Sequence, residues 1–152
     1  MARSDEYLRR LSETLGLPLA FEEGVCAIAL DDSLILSIAN DIDRASWMIS
    51  AVLADEGEAG SLDPHVCLHL NFLLHARDLG AIALAAHYGP MFLVHRLPIS
   101  QMSYEAVASR LEDFIEAWRL VKLRLFFPEQ ADAVEAAAPE SYEPTNPPIR
   151  YA

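Results

Sequence analysis

Apolar and polar positions alternate with a period of two along three successive runs. Val25 to Leu30 sets Cys26, Ile28 and Leu30 against Val25, Ala27 and Ala29. Leu34 to Ala39 puts Leu34, Leu36 and Ile38 on one side, and Ser46 to Leu53 sets Trp47, Ile49, Ala51 and Leu53 against Met48, Ser50 and Val52. Asp31-Asp32-Ser33 and the polar stretch Asn40 to Arg44 supply turn chemistry between them. Links this short predict an antiparallel meander and not parallel βαβ units, whose crossovers need a dozen residues or more. A second pair of strand-like runs, Ala81 to Ala86 and Met91 to Leu97, flanks a turn at His87-Tyr88-Gly89-Pro90, and Pro98 stops the second run.

Helical spacing occupies the rest of the chain. Leu8, Leu11 and Leu15 form one stripe over Ser4 to Leu15, with Gly16 as a natural stop, and Leu17 to Phe21 is then extended. Asp63 followed by Pro64 is a helix start, and the helix runs to about Arg77. Its apolar residues, Val66, Cys67, Leu68, Leu70, Phe72, Leu73 and Leu74, point in almost every direction, so it needs cover on more than one side. The sheet supplies one cover and a second subunit is the simplest other. Ser103 caps a long helix in which Tyr104, Val107, Leu111, Phe114, Trp118, Val121 and Leu125 step by three and four. That stripe reads as packing across a sheet, although a coiled-coil seam has the same spacing. The Gly- and acid-rich stretch Ala54 to Ser61 reads as a mobile loop. The fold class is therefore α+β, in the order α-β-β-β-α-β-β-α, with a twisted antiparallel sheet packed with helices over residues 1–127. Residues 128–152 hold five of the nine prolines and five acids, a composition that predicts a disordered tail, with room for a short helix over Ala131 to Ala138.

Charge narrows the class of partner. Eleven basic against 23 acidic residues give −12 among 152 residues, which repels nucleic acid and anionic membrane and favours basic or amphipathic partners. The opening Met-Ala-Arg-Ser-Asp-Glu lacks the apolar stretch of a secretory signal, and no run approaches the ~20 apolar residues of a membrane span, so a cytoplasmic protein is expected. Cys26 and Cys67 sit in apolar segments and read as reduced, buried small hydrophobes.

Catalytic motifs are missing. The six glycines, at 16, 24, 57, 60, 80 and 89, have no spacing suited to a phosphate or dinucleotide loop, and there is no Gly-x-Ser-x-Gly or Cys-x-x-Cys. Asp41-Ile42-Asp43 lacks the Gly and Glu that would continue a calcium loop. His65 and His69 lie one helical turn apart and could share a metal, but Cys67 points elsewhere and no third ligand is placed with them; structural histidines, His75 included, are the better reading. Glu22-Glu23 and Asp31-Asp32 read as solvated turn acids. No catalytic, cofactor or metal residue is expected.

Several stretches carry a resemblance. Leu15-Gly16-Leu17-Pro18-Leu19 with Phe21-Glu22-Glu23-Gly24-Val25-Cys26, then Leu68-His69-Leu70-Asn71-Phe72 followed by Gly80, Arg96-Leu97-Pro98, and Leu111 to Arg119 together resemble type III secretion chaperones of the Tir-chaperone, CesT-like, class I family. The alanine-rich strand after Gly80 and the 128–152 tail depart from the common pattern. The resemblance spans about residues 4 to 126 and implies a homodimer in the cytoplasm of a Gram-negative bacterium, non-catalytic, which binds an extended N-terminal segment of a secreted effector and meets the secretion ATPase. On that reading the dimer seam falls on Val66, Leu70, Leu73, Leu74, Ala81 and Ala83, and the effector on Leu8, Leu11, Leu17, Leu19 and Phe21. A regulatory or adaptor domain of the same fold is the alternative, and a small enzyme using the histidines is the third.

Overall fold

In the computed structural model, which describes residues 2–86 and 89–137, the five alternating runs pair into one antiparallel sheet. The strands are β1 (Val25–Ala29), β2 (Ile35–Asp41), β3 (Ser46–Ala54), β4 (Ala81–Leu84) and β5 (Met91–Leu97), in the spatial order β1-β2-β3-β5-β4. The first three form the predicted meander, with Ile28 opposite Leu36 and Ile38 opposite Ile49. β5 then inserts beside β3, placing Trp47 opposite Leu97 and Ala51 opposite Leu93, and leaves β4 on the outer edge. The period of two decides which face is dry: Cys26, Ile28, Leu36, Ile38, Ile49 and Leu93 are all buried on one face. On the other face Val25, Ile35 and Val52 are exposed.

Two helices fill the dry side. α1 (Arg3–Leu15) buries Tyr7, Leu8 and Leu11, and α4 (Tyr104–Phe126) buries the predicted stripe from Val107 through Leu111, Phe114 and Trp118 to Val121. Ser103 caps α4 through its hydroxyl, which accepts from the Ala106 N–H at 3.2 Å. Polar anchors fix both helices on the sheet. Trp47 donates its indole N–H to the buried Ser4 hydroxyl at 2.7 Å, and Tyr7 donates to the Met102 carbonyl at 2.7 Å. The register of β3 on β5 shifts between Val52 and Ala54, and the carbonyls freed there accept from Trp118 (2.8 Å to Val52) and Lys122 (3.1 Å to Leu53). Arg10 stacks over the Tyr104 ring at 3.9 Å and ties the two helices together.

α3 (Pro64–Ala76) starts at the predicted Asp63 cap and lies beside β4. It ends in a turn where Gly80 has φ +107°, and a Cβ there would stand 2.3 Å from the Val94 carbonyl oxygen, so only glycine lets the chain enter β4 this close to β5.

Two expectations need correction. The stretch read as a mobile loop contains a helical turn, α2 (Glu56–Ala59), because Asp55 and Glu58 form a reciprocal capping box. Pro128 does end α4, but it also starts α5 (Pro128–Ala137), which packs back on α4 and buries Ala131. Order therefore extends ten residues into the stretch expected to be disordered; the rest of that tail, 138–152, and His87 and Tyr88 of the predicted turn lie outside the described residues.

Candidate functional site

The first candidate surface is built around the segment that links α1 to β1. Gly16 takes the left-handed conformation (φ 66°) that closes α1, and Ser12 then holds the departing chain. Its carbonyl accepts from the Leu17 N–H, while its hydroxyl bonds the Leu17 carbonyl and accepts from the Leu19 N–H at 3.2 Å. Leu17 is exposed, Leu19 is half-buried, and Phe21 packs edge-on against Trp47 with ring centres 6.2 Å apart. Glu22 and Val25 exchange both backbone hydrogen bonds at 2.9 and 3.0 Å, which sends the chain into β1.

Beyond that pair, no described residue bonds the outer edge of β1. Gly24 and Leu30 bond the β2 side, so the alternate residues Ala27 and Ala29 direct their N–H and C=O groups away from the sheet. Along this edge runs an open cleft of about 400 Å³, lined by Pro18, Leu19, Ala20, Glu22, Val25 and Ala27. Leu8 and Leu11, expected to belong here, do not: they are 4% and 7% exposed and face the sheet as core. Ala27 and Ala29 were missed, because alternation marks the outer face of a strand but does not say which strand ends the sheet.

The second surface is α3. Leu70 and Leu74, expected in a seam between subunits, are buried against this chain's own sheet and α4. Val66 is exposed and Leu73 half-buried, as that role requires, and Ala81 and Ala83 lie on the adjoining edge strand. The most exposed apolar residues of α3 are two not singled out for the seam, Leu68 (66%) and Phe72 (69%), one helical turn apart.

The histidines do not converge. His65 and His69 are exposed while Cys67 is buried on the opposite side of α3, and the described residues contain no group of three side chains able to hold a metal. Burial raises the thiol pKa of both Cys26 and Cys67, so neither is an activated nucleophile. On the outer sheet face, Arg96 donates to Asp41 and Ser46, each at 2.8 Å, and that hydrogen bond holds the Asp41 carboxyl below its ordinary range.

His95 is the group with a consequence for pH. It sits opposite Ile49 on the helix side of the sheet, and desolvation lowers its pKa, with Asp78 opposing and Arg110 adding to the shift. A depressed folded-state pKa means that the unfolded chain binds the proton first. This contribution to stability is complete above about pH 6.5 and is lost as pH falls through the folded value. Urea midpoints from pH 7.5 to 5 should therefore fall, and His95→Gln should flatten that part of the slope; an unchanged slope would contradict the assignment.

Comparison with known proteins adds three findings. Residues 6–122 match the family described as Tir chaperone protein (CesT) family. No curated protein matches the sequence significantly. Among solved structures, the fold is similar to a chain of the HopA1-SchA chaperone-effector complex (20% identity, TM-score 0.66, covering 79% of this chain and 93% of that one). It is also similar to a chain of the ExsC-ExsE complex (15%, TM-score 0.68, 81% and 93%) and to one of the ExoT-SpcS complex from Pseudomonas aeruginosa (16%, TM-score 0.52, 76% and 93%).

Proposed function

The chain belongs to the Tir chaperone protein (CesT) family, and on that premise we propose that it is a type III secretion chaperone, binding an extended segment near the N-terminus of a secreted effector. The observation that carries this reading is the open β1 edge beside a cleft of mixed polarity, lined by Leu19 and Val25 as well as Glu22, and an already extended segment. An effector strand laid along Ala27 and Ala29 would gain main-chain hydrogen bonds, and its alternate side chains would enter the cleft beside Leu19. The bound segment stays unfolded and shielded, so the task needs neither catalysis nor ATP. The acidic surface, with Glu22 and Glu23 exposed beside the edge, favours clients whose flanks are basic. No helix among the described residues is long and apolar enough to cross a membrane, which is compatible with work in the cytoplasm.

The same reading makes the protein a homodimer that hands its client to the secretion ATPase. The seam moves outward from Leu70 and Leu74 to Val66, Leu68, Phe72 and Leu73, with Ala81 and Ala83 beside them. Sedimentation at micromolar concentration should give a dimer. Phe72→Asp should shift it to monomer with secondary structure intact, since a central aromatic anchor contributes about 2 kcal/mol or more. A wild-type monomer would sink the seam. Function is tested by affinity capture from the native bacterium followed by mass spectrometry: a secreted effector is the expected partner, and its repeated absence would refute the proposal.

A further inference from the structure

The two edges of the sheet are not equivalent. In β4 the residues that bond β5 are the odd ones, as the Ala85 N–H to Pro90 carbonyl contact at 3.4 Å marks, so Ile82 and Leu84 direct their backbone groups outward. At Ile82 those groups are already taken. The Asn71 carboxamide of α3 accepts from the Ile82 N–H at 2.6 Å and donates to the Ile82 carbonyl at 3.2 Å. One side chain thus makes the pair of bonds that a neighbouring strand would make. Asn71 is half-buried on α3, one residue before the exposed Phe72, so the seal is held by a rigid element.

We infer that Asn71 is a seal on the β4 edge, which confines strand addition to β1 and keeps two copies from zipping β4 to β4. An unsealed edge strand is a template for any other edge. β4 would be a good one, because it is short of charge: its residues are Ala81, Ile82, Ala83 and Leu84. The inference deepens the proposed function by fixing which edge takes the client, yet it concerns α3 and β4 alone and can fail or stand separately from client binding.

The test uses the full chain without client. At a dilution where Asn71→Ala keeps the wild-type mass, the Ile82 amide should exchange at least about ten-fold faster, the effect expected for losing a bond of ~1.4 kcal/mol. At higher concentration the variant should gain assemblies larger than wild type in sedimentation. Adding Leu84→Lys, a charge on the opened edge, should return the mass to the wild-type value while Ile82 exchange stays fast. Should Asn71→Ala fold poorly, Asn71→Leu keeps the volume and removes both bonds: the Ile82 amide should again exchange faster when dilute, and larger assemblies should form when concentrated. A folded Asn71→Ala with unchanged mass when concentrated, or with unchanged Ile82 exchange when dilute, would overturn the seal. So would assemblies that Leu84→Lys fails to suppress. Failure of the wild-type protein to capture any effector would refute the effector reading alone and leave both of these readouts standing.

Discussion

Trp47→Ala should lower the unfolding free energy by about 3–5 kcal/mol, as large aromatic truncations in a closed core do. Trp47 is 1% exposed and joins three parts of the molecule. It pairs with Leu97 on β5, packs against Phe21 of the extended segment, and donates to Ser4 on α1. A cavity at that junction removes dispersion contacts from all three and leaves the Ser4 hydroxyl buried without its partner. Because small domains have about 5–15 kcal/mol in hand, the loss is a large fraction of the total. Urea denaturation at pH 7.5 measures it. Trp47→Phe keeps a smaller aromatic ring and removes the N–H donor to Ser4, and about 1–3 kcal/mol should be lost. A change below 1 kcal/mol in the alanine variant would mean that α1 is not anchored through this residue.

The second large effect concerns binding. Ala27→Pro should weaken capture of an effector segment by about 2–3 kcal/mol, or 30- to 150-fold, with little change in folding. The Ala27 N–H points out from the sheet and takes no part in the β1–β2 ladder, so proline removes only a donor offered to the client. Its ring also obstructs the edge. Ala27→Val keeps the donor and suits a strand, so it should bind as wild type. Calorimetry with the captured effector fragment decides the matter: a folded proline variant that binds normally would move the client away from β1.

Much of the architecture was legible because it rests on short-range rules. The alternation at Val25, Leu34 and Ser46 located three strands to within about two residues, Met91 to Leu97 matched a fourth, and Asp63-Pro64 and Ser103 marked helix starts that are observed. The losses have a common cause. Periodicity says which residues share a face, not whether that face looks at the sheet or at solvent. Leu8 and Leu11 were therefore assigned outward when they face the sheet, and Leu70 and Leu74 were placed in a seam when they close the core. The helical turn at Glu56–Ala59 did leave a local signal, the Asp55-x-x-Glu58 box, hidden under a composition of acids and glycines. Asn71 left none, since its function depends on a strand edge eleven residues away coming to rest beside it.

The strand order carries a consequence for how the chain comes into being. β1, β2 and β3 are neighbours in sequence and in space, so the meander can assemble as soon as it is synthesised. The partner of β3 on its far side is β5, roughly forty residues later, and closing that span is the costly, slow event. Until Leu97 has emerged, the far edge of Ser46–Ala54 stands unpaired, carrying Trp47, Ile49 and Leu53. A newborn copy is thus briefly an aggregation hazard of the kind that the finished protein is proposed to suppress in its clients.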